Sequence, residues 1–331
     1  MNKFNLVVKE NSNTLKFQQL VDAIIDSISR NQLKQGDLLP SVNKVMKDSQ
    51  LSRDTVFKAY AELKKRGVVE SVPNRGYFVT KNSIKVFLFL DTFKAYKEVL
   101  YGAFLKHLPK NISVDLHFHH YNIDVFEKII TESLDKYSKF IIMNFDNKKV
   151  PGIINLIPKD QLLIIDWKIH STKTQSTVYQ NFGDSVYNCF QKNMDKIRKY
   201  NEFVFLYPTF TYHPKVVIEY FEKFCVENNL KHSVIYDLEK FRIKKNGLYF
   251  LVSDRTLANF LDQCSEKGFE PGREVGVISY NETPMKKYVK NGITVISTDF
   301  KLMGEKAAEF VVAGEPIQFE VPTTLKLRSS I

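Results

Sequence analysis

Phe93 and Tyr96, Asp166 and Trp167, Tyr207 and His213, Asp254 and Arg255, and Asn281 stand at or just beyond the carboxyl ends of apolar runs. In open parallel sheets the loops at those strand ends converge, and ligands bind there. Aromatic faces suit the C–H surface of a sugar, and planar polar groups suit its hydroxyls. The chemistry expected of these ligand-binding candidates is therefore non-covalent recognition. Each has a plainer reading, since an Asp after a strand often just caps a helix and Trp167 can equally be surface packing. No carboxylates pair at acid/base spacing and no Ser-His-Asp signature is visible, so no catalytic residue and no cofactor are expected. His117, His119 and His120 form HFHH. Alternation along a strand or loop explains that run at least as well as a metal, so no metal site is expected.

A second group of residues suits a polyanion. The first 80 residues carry 13 Lys/Arg against 8 Asp/Glu, within a chain of net charge +11. Lys58, Lys64, Lys65, Arg66 and Arg75 lie close together in that stretch. A basic concentration of this kind favours nucleic acid, although charge alone fits a solvated face equally well.

The elements beneath those residues are readable. Phe17, Leu20, Val21, Ile24, Ile25 and Ile28 form the stripe of an amphipathic helix. Gly36-Asp37 breaks it, Ser41 can cap a short helix buried through Val42, Val45 and Met46, and Ser52 can cap a third running to about Arg66. In that third helix Val56, Ala59, Tyr60 and Leu63 face inward, leaving Arg53, Thr55 and Lys58 outward. Two short helices joined by a tight turn let the second lie in the major groove. Strands at 68–72 and 77–80 around Pro73-Asn74-Arg75-Gly76 make a hairpin with a basic tip, placing Arg75 to meet a phosphate or the minor groove.

LKFQQLVDAIIDSI, QGDLLPS, LSRDTVFKAYAELKKRGVVE and NRGYFV, in this order, resemble the GntR family of bacterial regulators over about residues 14–80. The resemblance implies a DNA-binding winged helix-turn-helix. Ser41 and its helix end would hold phosphate, with Ser52 at the mouth of the recognition helix. Arg53, Thr55 and Lys58 would meet base edges or backbone, and Arg75, Gly76 and Tyr77 would form the wing contact. Many members carry Arg where Phe57 stands and another where Asn43 stands.

Beyond a short linker at 81–84, strand-like runs recur at 84–90, 140–145, 162–166, 203–207, 232–236, 248–252, 274–280 and 293–298. Helical stretches at 124–137, 185–199, 215–228 and 256–267 lie between them. The alternation predicts α/β architecture with parallel sheets covered on both faces. The tail EVGVISYNETPMKKYVKNGITVISTDFKLMGEKAAEFVVAGEP and the closing VPTTLKLRSSI resemble the effector domain of the LacI and periplasmic sugar-binding families. That resemblance implies a two-lobed, doubly wound periplasmic-binding-protein-like domain over 85–331. Lobe one would span about 85–180 and 298–318, and lobe two 181–297 and 319–331, with ligand between them. It places Asp166, Asp254 and Asn281 where relatives hold ligand hydroxyls, and Trp167 where some use Arg.

The pairing of reader and sensor resembles arabinose-type repressors. The expectation is a regulator that binds operator DNA as a homodimer, with affinity set by a small-molecule effector. A monosaccharide, such as a pentose or deoxyhexose like arabinose or fucose, comes first. A nucleobase, sugar phosphate or amino acid is the alternative, and a pyridoxal-phosphate enzyme fusion, which needs a longer second domain, is the reading from another class. No apolar run spans a bilayer and the first residues lack a secretory pattern, so no membrane partner and a cytoplasmic location are expected. Cys189, Cys225 and Cys264, the only cysteines, lack zinc or disulfide spacing and read as buried thiols.

Overall fold

A computed structural model describes residues 14–29, 32–80, 84–109, 112–168 and 176–331. Most of the expected linker, residues 81–83, lies outside them.

The N-terminal unit is built from α1 (Lys16–Ser29), α2 (Val42–Ser49) and α3 (Arg53–Lys65), followed by the antiparallel strands β1 (Val69–Val72) and β2 (Gly76–Val79). Leu20, Val21 and Ile24 of α1 pack against Val56, Ala59, Tyr60 and Leu63 of α3, all of them fully buried. These are the stripes read from the sequence. The Tyr60 hydroxyl donates to the Pro40 carbonyl at 2.6 Å, pinning α3 to the approach to α2. At the hairpin tip Gly76 adopts φ +108, a conformation that L side chains resist.

The remainder forms two lobes. Lobe one begins with β3 (Lys85–Leu90), α4 (Ala95–His107), β4 (Ser113–Phe118), α5 (Ile123–Ser133), β5 (Lys139–Met143), α6 (Val150–Ile154), β6 (Leu162–Asp166) and β7 (Ser176–Tyr179). The chain then crosses to lobe two. There it forms α7 (Asp184–Lys192), α8 (Met194–Ile197), β8 (Glu202–Leu206), α9 (Val216–Glu227), β9 (His232–Ile235), β10 (Gly247–Leu251), α10 (Asp254–Lys267), β11 (Gly276–Tyr280) and β12 (Thr294–Thr298). It returns for α11 (Phe300–Ala313) and β13 (Gln318–Glu320), and crosses a third time into β14 (Thr323–Lys326).

The lobe-one sheet, in order β13-β7-β6-β5-β3-β4, is wholly parallel. The lobe-two sheet, β14-β12-β11-β10-β8-β9, is parallel except where β14 runs against β12. Strand alternation supplies a core on each face. Val86, Leu88 and Leu90 bury on one side of lobe one and Phe87 and Phe89 on the other. Phe205 and its neighbours Val204 and Leu206 divide in the same way in lobe two.

The helix read over 185–199 is broken at Asn193 into α7 and α8, and the one read over 124–137 ends at Ser133. Gly304 lets α11 lie against α4, since a Cβ there would stand 2.3 Å from the Leu100 carbonyl oxygen. Arg328 bonds Glu282 and the Ile293 carbonyl, and Ser330 bonds Val277, so the tail is knitted into β11 and its neighbours. All three cysteines are free and buried, and burial pushes Cys189 up to about 11. No helix among the described residues is long and apolar enough to cross a membrane.

Candidate functional site

Two surfaces bring together the residues picked out by type. The first is on the N-terminal unit. Ser41 caps α2 by accepting from the Lys44 N–H, and Ser52 caps α3 by accepting from the Thr55 N–H, both at 3.3 Å. The Ser52 and Thr55 hydroxyls also meet at 2.8 Å, which leaves Thr55 partly engaged in the cap. Arg53 and Lys58 are exposed on α3, with Arg53 over the Phe57 ring at 5.5 Å and Lys58 over the Phe17 ring at 4.5 Å. Arg75 and Gly76 are exposed at the hairpin tip. Tyr77 instead turns its ring edge-on to Tyr60, 4.8 Å away, and so braces the hairpin against α3.

The second surface is the cleft between the lobes. Loops from the carboxyl ends of strands in both sheets meet around a cavity of about 130 Å³. Of the strand-end residues, Tyr96, Asp166, Trp167, His213 and Asn281 line it. Phe93, Tyr207, Asp254 and Arg255 do not. Phe93 packs edge-on with Tyr101 and Phe118. Tyr207 is buried, with its hydroxyl donating to the His213 carbonyl. Asp254 is held at 2.8 Å by the buried Lys286 ammonium, and Arg255 lies over the Phe210 ring. Standing after a strand does not decide which way a side chain turns: Phe93 and Asp254 take partners away from the cavity, while Tyr207 and Arg255 stand behind the lining residues His213 and Phe210.

Sequence reasoning missed much of the lining, including Asp91, Tyr121, Asn144, Gln180 and Tyr212. Asp91 forms an ion pair with Lys97, which is almost wholly buried, and accepts from the Tyr121 hydroxyl. Burial holds the Lys97 ammonium down at about 8, opposed by the nearby Asp166 charge. Burial pushes the Asp166 carboxyl up, against the hydrogen bond from Gln180 and the charge of Lys97. Tyr121 of lobe one stacks on Tyr212 of lobe two, with ring centroids 3.8 Å apart and planes 4° from parallel.

Three buried polar atoms of residues lining this cavity have no hydrogen-bond partner among the described residues: Asn144 Oδ1, His213 Nε2 and Asn281 Oδ1. Leaving a buried polar atom unpaired costs roughly 1–3 kcal/mol, so three around one cavity mark a place built for something else to bond. The Asn144 Nδ2 donates to the Trp167 carbonyl at 2.6 Å, which leaves the amide oxygen as the unpaired end of that side chain. Burial holds His213 down at about 3, so its ring is neutral at physiological pH.

Two roomier depressions lie elsewhere. One, of about 510 Å³, runs beside the crossovers, where Glu282 is already bonded to Arg328 and Lys326. The other, of about 680 Å³, separates the N-terminal unit from lobe one. Neither is lined by a buried polar atom without a partner among the described residues. In the HFHH run, His117 stacks on Phe87, His119 is fully buried and His120 is exposed. No group of three or more His, Cys, Asp or Glu among the described residues is placed to hold a metal ion.

A winged helix carried on two parallel-sheet lobes, with a polar cleft between them, is the architecture of a nucleic-acid reader joined to a small-molecule-binding domain. Residues 16–79 match the bacterial regulatory proteins of the gntR family, and residues 197–331 match the periplasmic binding protein-like domain. The chain belongs to the GntR family of bacterial regulatory proteins, with a periplasmic-binding-protein-like domain behind its reader.

It is 36% identical over 70 residues to the uncharacterized HTH-type transcriptional regulator YcxD of Bacillus subtilis, covering 21% of this chain and 16% of that one. It is 30% identical over 94 residues to the regulator YhcF of the same organism, covering 28% of this chain and 75% of that one. The chain thus spans about a sixth of YcxD and most of YhcF, and in both the likeness covers less than a third of this chain. In fold, the chain is similar to a LacI family transcriptional regulator from Lactobacillus casei solved with bound sucrose. That likeness has a TM-score of 0.63 at 11% identity, over 75% of this chain and 99% of the other.

Proposed function

We propose that this chain is a ligand-responsive transcriptional regulator that binds operator DNA as a homodimer and whose affinity is set by a neutral, hydroxyl-rich molecule in the interlobe cleft. A monosaccharide fits best, with a pentose or deoxyhexose such as arabinose or fucose first. The observation that carries the ligand class is the character of the unpaired atoms. Asn144 presents an amide oxygen, which can only accept, and Asp166 adds a carboxylate to the same lining. A lining that accepts hydrogen bonds wants a ligand that donates them.

Phosphate esters and carboxylates bring acceptors instead, and the buried ammonium of Lys97 is already paired with Asp91. The bound sucrose in the Lactobacillus casei regulator supports the same class. A dimer follows from the reader, since one short recognition helix covers few base pairs and two related by a twofold axis read a palindrome.

Trp167 is the only tryptophan in the chain and lines the cavity, so its fluorescence reports occupancy. Titration with a panel of neutral monosaccharides should give a saturable change for at least one. The same sugar should then alter the affinity of the protein for a duplex selected from random DNA. A sugar that binds without altering DNA affinity would refute the regulatory coupling.

A further inference from the structure

The recognition helix carries one side chain that its amphipathic pattern does not explain. Val56, Ala59, Tyr60 and Leu63 are fully buried, while the exposed positions Arg53, Asp54, Lys58, Lys64 and Lys65 are charged and the exposed Ala61 presents only a methyl group. Phe57 breaks the rule, with 41% of its surface exposed one turn after Arg53. It belongs to no core cluster of the N-terminal unit. Its neighbour is the Arg53 guanidinium, 5.5 Å from the ring centroid.

Helices of this kind enter the major groove by their first turns, which is where Arg53 and Phe57 stand. The floor of that groove offers hydrogen-bonding edges at every base pair and a single apolar group, the 5-methyl of thymine. A guanidinium stacked beside an aromatic ring pairs the two readouts. The fork can address O6 and N7 of a guanine while the ring covers a neighbouring methyl group.

We propose that Phe57 is a specificity-determining residue that reads the 5-methyl group of a thymine next to the base contacted by Arg53. This rests on the DNA-reading function proposed above. The contact is apolar, so the operator preference carries a thymine that hydrogen bonding does not specify.

The test uses the full chain and a duplex enriched from random DNA by the wild-type protein. Each thymine of the enriched half-site is replaced by uracil, which keeps every hydrogen-bonding edge and removes only the methyl group. Wild-type protein should lose about fourfold in affinity per half-site at one thymine, the factor that burial of one carbon group corresponds to. The Phe57→Ala variant should bind the thymine and uracil duplexes equally while still preferring the other enriched positions. Phe57→Leu, which keeps an apolar contact, should retain part of the difference.

Indifference of the wild type to uracil at every thymine would overturn the proposal, and so would the same loss in Phe57→Ala. A Phe57→Ala variant that dimerises poorly yet keeps the uracil effect would assign the ring to a protein contact instead. If the wild type enriches no sequence at all, the DNA-reading function fails first and the inference falls with it.

Discussion

Thr298 donates to Gln180 Oε1 at 2.6 Å, joining two of the three segments that cross between the lobes. The Tyr280 hydroxyl bonds the same oxygen at 3.1 Å, while Gln180 Nε2 donates to Asp166 at the cavity. Thr298 in turn meets Thr323 of the third crossover at 2.7 Å. One buried amide therefore ties a cavity-lining carboxylate to the segments that join the lobes.

Replacing that amide with an apolar side chain of similar size, Gln180→Leu, strands the Tyr280 hydroxyl and takes from Asp166 its amide donor. Unpaired buried groups cost roughly 1–3 kcal/mol each. Chemical denaturation should show a loss of about 2 kcal/mol or more, and an unchanged midpoint would contradict the network described.

Acid should unfold the protein through its buried histidines. His119 bonds the Met143 carbonyl at 3.0 Å through Nε2 and accepts from the Tyr121 N–H through Nδ1. Burial holds His119 down at about 4 and His213 at about 3, against 6.5 for the free side chain. A depressed folded value means that the unfolded chain takes protons first. Stability is therefore intact above about pH 6.5 and drains away as pH falls toward 4 for His119 and 3 for His213. Each histidine adds a slope of at most about 1.4 kcal/mol per pH unit. Asp166, pushed up by burial, works in the opposite sense over the range just above 3.8. Urea titrations at stepped pH should give a shallower slope for His119→Gln than for wild type, and equal slopes would refute the assignment.

Arg66 is one of the contacts between the N-terminal unit and lobe one. At the end of α3 it bonds Glu62 at 2.7 Å, and it reaches Gln18 of α1 and the Val312 carbonyl of α11, each at 3.4 Å. The other end of α11 is Phe300, which lines the interlobe cavity. A single helix of 14 residues, about 21 Å long, thus runs from the cleft to the end of α3. Arg66→Ala should leave ligand binding intact while the ligand-induced change in DNA affinity shrinks by about fivefold or more. DNA titrations with and without ligand measure this, and an undiminished response would show that coupling runs elsewhere.

The framework is legible in the sequence because its signals are local. The stripes of α1 and α3, the caps at Ser41 and Ser52, and the buried central strands follow from periodicity within a few residues. The strand β4 escapes such a reading because it lies at the sheet edge and reads SVDLHF, half polar. The cleft is half legible. Strand ends indicate Asp166, Trp167 and Asn281, but the Tyr121–Tyr212 stack and the Gln180 network depend on how two lobes meet, and no local pattern encodes that. Asn144 falls inside a run that reads as strand to its end, whereas β5 stops at Met143 and frees the amide for the cavity.

The ligand class is tested most directly by thermal unfolding of the wild type and of Asn144→Ala against neutral monosaccharides and their phosphate esters, since a molecule that binds only the folded state raises its midpoint. At least one neutral sugar should raise the wild-type midpoint, its phosphate ester should not, and Asn144→Ala should lose the shift. A panel in which only phosphates or carboxylates raise the midpoint, or in which Asn144→Ala responds as wild type does, would contradict a hydroxyl-rich ligand held by the unpaired atoms of the cleft.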